Sequence, residues 1–255
     1  MIFESHAHYD DEAFNEDRDI LLSSMRDNGV EYIINVSADF ESIDSIYELT
    51  KKYDFVYGTV GVHPGAAQNM THERFEYLKK AALREKMVAI GEIGLDYYWD
   101  KENHEKQIYW FERQMDLARE KKLPIVVHSR DAAADTLDVI KANKAEEIGG
   151  IIHCFSYGKE LAREYLNMGF YLGIGGVVTF NNGKKLKEVV EYAPIEQLVL
   201  ETDSPYLSPV PFRGKRNSSR NLSYVAEAIG QIKGITTEEV LAITNENAKK
   251  VYKLI

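Results

Sequence analysis

Short apolar runs alternate with amphipathic stretches along nearly the whole chain. The runs fall at residues 2–5, 32–36, 56–62, 87–93, 124–128, 150–155, 171–174 and 197–202. They are rich in Val, Ile and Tyr, and several are almost unbroken, as strands covered on both faces are. Between them the period changes. Ile108, Phe111, Met115 and Ala118 recur at three- and four-residue spacing while Glu112, Arg113, Asp116 and Arg119 fall outside the stripe, which predicts a helix with one buried face. Residues 161–168 repeat the pattern, with Gly169 as the stop, and 186–192 and 225–232 read alike. A last helix is predicted over 237–252, opened by a capping box of Thr236 and Glu239. Eight strand signals alternating with helices in about 250 residues predict an α/β chain folded as a (β/α)8 TIM barrel with an additional C-terminal helix. A doubly wound open sheet shares the alternation and is the other reading. No linker rich in Pro, Gly or Ser divides the chain, so residues 1–255 are expected to form a single domain.

Composition narrows the class. Hydrophobic residues make up 44% and charged residues 28% of the 255, the balance of an ordinary folded chain. No apolar run approaches the ~18 residues that cross a bilayer, and the chain does not open with a basic segment and an apolar core, so neither membrane nor export is expected. The one cysteine, Cys154, excludes an intrachain disulfide and fits a reducing, cytoplasmic setting. Its alternation with His153 predicts that it faces the covering helices as a small core residue. The net charge of −10 argues against a broad surface for coating nucleic acid but leaves room for a local basic patch.

The chemistry lies at the strand ends. The chain opens with "FESHAHYD", in which strict strand alternation puts Glu4, His6 and His8 on one face. His63 ends "GTVGVHP", Glu92 and Asp96 lie in "AIGEIGLD", His128 ends "PIVVHSR", His153 sits in "GIIHCF" and Asp203 in "LVLETDSP". Five of the seven histidines thus sit at or just past strand ends, beside acids in apolar runs; His72 and His104 lie in helix-like stretches. Buried charges need a partner or a metal. In a parallel barrel these ends converge on the face where active sites lie. Any one of these residues alone reads as an ordinary hydrogen-bonded side chain; together they point to a metal centre.

The stretches "SHAH", "GVHP", "GEIGLDYY", "VVHSRDA", "IIHCFS", "ETDSPYL" and "PFRGKRN" follow one another along essentially the whole chain, and through them the chain resembles the TatD family of metal-dependent hydrolases. That family is a branch of the amidohydrolase superfamily whose members are commonly deoxyribonucleases, and its barrel fold agrees with the alternation. The resemblance implies two divalent ions. His6 and His8 would hold one with Asp203, His128 and His153 the other, and Glu92 would bridge them. Such a donor set suits Zn, Mn, Co or Fe, and Mg where water and phosphate complete the shell. The resemblance also implies that Asp203 takes the proton of the attacking water; a plain ligand role is the alternative. It implies DNA as substrate, with single-stranded 3′ ends trimmed in the 3′–5′ direction. An amide or ester hydrolase on the same site, such as a D-aminoacyl-tRNA deacylase, and a non-enzymatic metal-stabilised scaffold are the competing functions. Relatives usually carry Asp in place of Glu4, which is expected to support the metal only indirectly. They also often have His in place of Gly65 and Glu-Pro in place of Ser218 and Ser219, differences that bear on the substrate rim.

Substrate contacts follow from position. Arg213, Lys215, Arg216 and Arg220 place four charges in eight residues after the last strand, where a loop would overhang the centre and present guanidinium groups to phosphate. Arg213 and Arg216 are the expected contacts. Arg130 either joins them or pairs with Asp131 or Asp135. His63 either bonds a phosphate oxygen or orders the turn at Pro64. Tyr97, Tyr98 and Trp99 offer stacking faces, with packing under a loop as the plainer use. Nothing in the sequence calls for an oligomer, and a monomer is compatible with it.

Overall fold

In the computed structural model, which describes residues 1–254, eight strands form one parallel sheet in sequential order. They are β1 (Ile2–Ala7), β2 (Val30–Asn35), β3 (Val56–Val60), β4 (Met87–Asp96), β5 (Ile125–Arg130), β6 (Gly150–Ile152), β7 (Tyr171–Ile174) and β8 (Leu198–Leu200). The sheet curls until β8 meets β1. That seam is held near its upper end by an Ala7–Ser204 parallel bridge, by the His8 N–H to the Ser204 carbonyl at 2.8 Å, and by the Asp203 N–H to the His6 carbonyl at 2.9 Å. Closure removes both sheet edges and rules out the open-sheet alternative.

Helices α1 (Arg18–Ser23), α2 (Phe40–Lys52), α3 (His72–Ala81), α4 (His104–Lys121), α5 (Ala133–Ala142), α6 (Lys159–Asn167), α7 (Lys184–Tyr192) and α8 (Leu222–Lys233) form the outer ring. The apolar stripe read in the fourth is the one that is buried: Phe111, Met115 and Ala118 are almost fully covered. Gly169 takes a left-handed φ of 82° just past α6, as a helix stop does. The capping box opens α9 (Thr237–Val251) as expected: the Thr236 hydroxyl accepts the Glu239 N–H at 3.1 Å and the Glu239 carboxylate accepts the Thr236 N–H at 2.8 Å.

This extra helix plugs the barrel. Phe3, Ile34, Ala89, Val126, Ile151 and Val199, one from each of six strands, form an inner cluster with Ala248, Val251 and Tyr252. Tyr252 stacks on Phe3 with ring centres 6.0 Å apart, and its hydroxyl donates to the Ser5 carbonyl at 2.8 Å. The Asn247 amide donates to the carbonyls of Ile195 and Leu198, both at 2.8 Å. In β1, β4, β5, β6 and β8 these inner residues precede the histidines and acids near the strand ends, so the plug fills one end and the histidines open at the other.

Candidate active site

The C-terminal ends of β1, β4, β5, β6 and β8 deliver His6, His8, Glu92, His128, His153 and Asp203 into one cluster. Glu92 is at its centre, and its two oxygens divide the rings between them. One oxygen, Oε2, lies 3.4 Å from His6 Nε2 and 3.9 Å from His8 Nε2; the other, Oε1, lies 2.7 Å from His128 Nδ1 and 3.6 Å from His153 Nε2. Asp203 Oδ1 lies 3.3 Å from His8 Nε2 and 3.7 Å from His6 Nε2.

The rings are oriented from behind. His8 Nδ1 donates to the Val36 carbonyl at 2.8 Å, which turns Nε2 toward Glu92 and Asp203. His128 Nε2 sits 3.1 Å from Asp96 Oδ2, so its Nδ1 is the inward nitrogen. His153 Nδ1 is 3.2 Å from Glu201 Oε1, so its Nε2 is inward. Carboxylates behind ligating imidazoles are the usual support of a metal centre. The donor set fits divalent cations: His6, His8 and Asp203 converge as one group, while His128 and His153 both approach the other oxygen of Glu92, with the His153 ring also stacked on His6 at 3.5 Å.

Electrostatics point the same way. Burial alone would raise the Glu92 carboxyl, but the His153 and His6 rings outweigh it and hold the group well below the usual carboxylate range. Burial opposes charge on His153 too, yet Glu201 and Glu92 push its pKa up to about 10. The buried carboxylates draw positive charge onto the rings around them, the demand that a bound cation meets.

Asp96 and Glu201 are the residues that sequence reasoning left without a role. Both are buried, and Glu201 also accepts the Cys154 N–H at 2.5 Å. Spacing carried a signal for Glu201, which stands two residues before Asp203.

Two expectations are corrected. Strict alternation in β1 does not hold, because the pairing with β2 shifts register between Glu4 and Ala7. Glu4 therefore takes no part in the ring cluster. Its buried carboxylate accepts the Thr202 N–H at 2.9 Å, the Thr202 hydroxyl at 2.6 Å and the His6 N–H at 3.1 Å, and burial pushes its pKa up to about 7. Cys154 does not face the helices as core filler. Its φ of 46° breaks the alternation, and its sulfur lies within 4.8 Å of a His153 ring nitrogen and an Asp203 carboxylate oxygen. Burial pushes the thiol well above its ordinary pKa.

The expected substrate contacts are spread around the rim. His63 is beside the centre, with Nε2 3.9 Å from Glu92 Oε1. Its Nδ1 accepts the Gly65 N–H at 3.0 Å, so the neutral ring carries its proton on the inward Nε2, as a donor. Burial, with the His128 ring beside it, pulls the His63 pKa down to about 4 and keeps the ring neutral. Arg130 forms neither of the ion pairs weighed for it; its guanidinium lies 4.0 Å from the Tyr98 ring centre. Arg213 lies 4.1 Å from the Phe180 ring centre. Arg216 is clamped by Asp17, at 2.8 and 2.5 Å, and by the Ala13 carbonyl at 2.6 Å. Tyr97 is packed, stacked 3.5 Å from His104 with its hydroxyl on Asp135 at 2.7 Å. The cavity over the centre is walled on the β1–β2 side by Asp10, Asp11, Glu12, Asp39 and Glu41, and no Lys or Arg stands among its described lining residues.

The family profile described as "TatD related DNase" matches residues 3–253. An uncharacterized metal-dependent hydrolase of Bacillus subtilis strain 168, YabD, is 44% identical over the whole of both chains. A second, YcfH of Escherichia coli K12, is 36% identical over all of this chain and 96% of its own. The crystal structure of YjjV, a TatD homologue from E. coli K12, superposes with a TM-score of 0.93 over 99% of this chain and 98% of its own, at 27% identity. The chain belongs to the TatD family of metal-dependent hydrolases.

Proposed function

We propose that the protein is a deoxyribonuclease that hydrolyses phosphodiester bonds at single-stranded DNA ends, with 3′–5′ polarity, as one cytoplasmic barrel unit. The observation that carries the metal chemistry is Glu92, whose two oxygens face separate pairs of histidines, with the outer nitrogens of His8 and His128 engaged by the Val36 carbonyl and Asp96. His6, His8 and Asp203 would hold one divalent ion and His128 and His153 another, with Glu92 between them; Zn, Mn, Mg, Co and Fe all suit this set. When bound, such ions supply Lewis-acid chemistry, acidifying water and offsetting charge on a phosphoryl group. Asp203, held ionised despite burial by the His8 and His153 rings, accepts the proton of the attacking water. His63 presents its Nε2–H to a phosphate oxygen. Arg213 carries charge at the outer rim.

Metal content of reconstituted protein, read beside degradation of an end-labelled single strand, tests this directly. Asp203→Asn at saturating metal is expected to lose about 10²–10⁴-fold in turnover. Full turnover in that variant removes Asp203 as the base, and intact oligonucleotide with every divalent ion removes the nuclease reading.

One observation favours a second reading. The five carboxylates on the β1–β2 wall repel a polyanion but attract an ammonium group. A D-aminoacyl-tRNA deacylase would place a substrate ammonium against that wall. Release of amino acid from D-aminoacyl-tRNA by the same reconstituted protein decides between the two.

A further inference from the structure

The turn after β4 carries two rings that the barrel does not use. Tyr98 is 46% and Trp99 72% exposed, and they meet edge to face with centres 4.8 Å apart. Arg130, at the end of β5, lays its guanidinium 4.0 Å from the Tyr98 ring centre and 5.6 Å from that of Trp99. The turn is tied to the active site through one side chain. Asp96 Oδ1 accepts the N–H groups of Tyr98 and Trp99, both at 3.0 Å, while its Oδ2 meets His128 Nε2 at 3.1 Å. The carboxylate that orients an active-site ring therefore also sets the position of the exposed pair.

The charge distribution says what this pair faces. In a ring of eight strands in sequential order, β5 lies opposite β1. The acidic wall stands on the β1–β2 side, and the free guanidinium of Arg130 on the β4–β5 side. This charge distribution favours an approach over β4 and β5 for a polyanion, past Arg130 and the two rings.

We propose that Tyr98 and Trp99, backed by Arg130, form a stacking subsite for an unpaired base of a single strand whose phosphate lies at Glu92 and Asp203. This rests on the phosphodiesterase reading above. Trp99 supplies the open face, Tyr98 packs perpendicular to it, and Arg130 sets a cation 4.0 Å from the Tyr98 ring centre with N–H groups for phosphate. A duplex, whose bases are already stacked, gains nothing there.

The chain has two tryptophans, and Trp110 is only 5% exposed, so Trp110→Phe leaves Trp99 as the sole reporter. The probe is an eight-residue phosphorothioate oligothymidylate, titrated into metal-loaded protein and followed by tryptophan quenching. Fluorescence anisotropy of a dye-labelled copy reads the variants that lack Trp99. Trp99→Ala is expected to weaken binding about tenfold, within the range for one stacked base, and Trp99→Phe to restore it. Replacing the end nucleotides of the probe by abasic residues should cost the parent the same factor and the Ala variant nothing more. Hydrolysis of methyl p-nitrophenyl phosphate, which offers no base, should be the same in all of these proteins. Unchanged oligonucleotide affinity in both Trp99→Ala and Tyr98→Ala, with the small diester still cleaved, overturns the subsite and leaves the phosphodiesterase reading standing. A parent that cleaves neither small diester nor natural oligonucleotide overturns both.

Discussion

Gly173→Ala tests how the buried acids act without touching any ligating group. A Cβ at this position in β7 would sit 2.2 Å from Glu201 Oε2 and 2.6 Å from its Cδ. Ordinary van der Waals contact begins near 3.4 Å, so the Glu201 carboxylate must retreat by roughly 1 Å. It has little room, because the side chain is 1% exposed and anchored by the Cys154 N–H. Two consequences follow. Overpacking costs about 1–3 kcal/mol of stability. The 3.2 Å approach of Glu201 to His153 Nδ1 is lost, and removing a support of this kind weakens metal affinity about 10–100-fold, or about 1.4–2.7 kcal/mol. Competition with a chromophoric chelator measures the affinity, and urea unfolding of the chelated protein measures the stability term separately. Glu201→Gln should lower metal affinity by a similar factor, because it too weakens the Glu201–His153 contact. The double variant should lose little beyond the worse single change, because both act through one contact. Losses that multiply in the double variant, or wild-type affinity in Gly173→Ala, refute the proposed route through Glu201.

Three further outcomes are expected. Chelation should lower the melting temperature by about 5–10 °C, the equivalent of about 2.7 kcal/mol for a ligand at 100 times its Kd, and a divalent ion should restore it; an unchanged melting curve speaks against a centre that links β1 to β8. Asn247→Leu should destabilise the barrel by about 1–3 kcal/mol in urea, since it removes the side-chain donor from the Leu198 carbonyl while the Ile195 carbonyl keeps the Leu198 N–H, and KM and kcat should stay as they were. Arg213→Gln should flatten the salt dependence of oligonucleotide binding by about one unit of slope, whereas Arg216→Gln should barely change it, because Asp17 already neutralises that guanidinium; equal effects contradict the pairing.

The architecture was legible because its cause is local. Eight β-rich apolar runs and the stripes between them state the alternation, and the Thr236–Glu239 box marks the start of α9. Strand ends were less so. The run at 197–202 becomes a strand only over Leu198–Leu200, and that at 87–93 extends through Asp96 as β4. Pairing partners, not propensity, decide where a strand stops. The convergence of His6, His8, Glu92, His128, His153 and Asp203 could be read from their positions at strand ends. The shared face expected for Glu4, His6 and His8 and the outward side expected for Cys154 failed for one reason: strict alternation holds only while the backbone stays regular, and a register shift in one case and a left-handed residue in the other break it. Arg216 illustrates a second limit. No acid stands near it in sequence, and its partner Asp17 reaches it only through the fold.

The seam between the first and last strands has a temporal consequence. His6 and His8 stand on one side of it and Asp203 on the other, and the backbone bonds that close the ring are made by these same residues. Sealing the wall and gathering this side-chain cluster are thus a single act. A growing chain on the ribosome cannot complete the cluster until residue 203 has emerged and found residue 6, so a partly made copy carries the histidines without the arrangement that unites them.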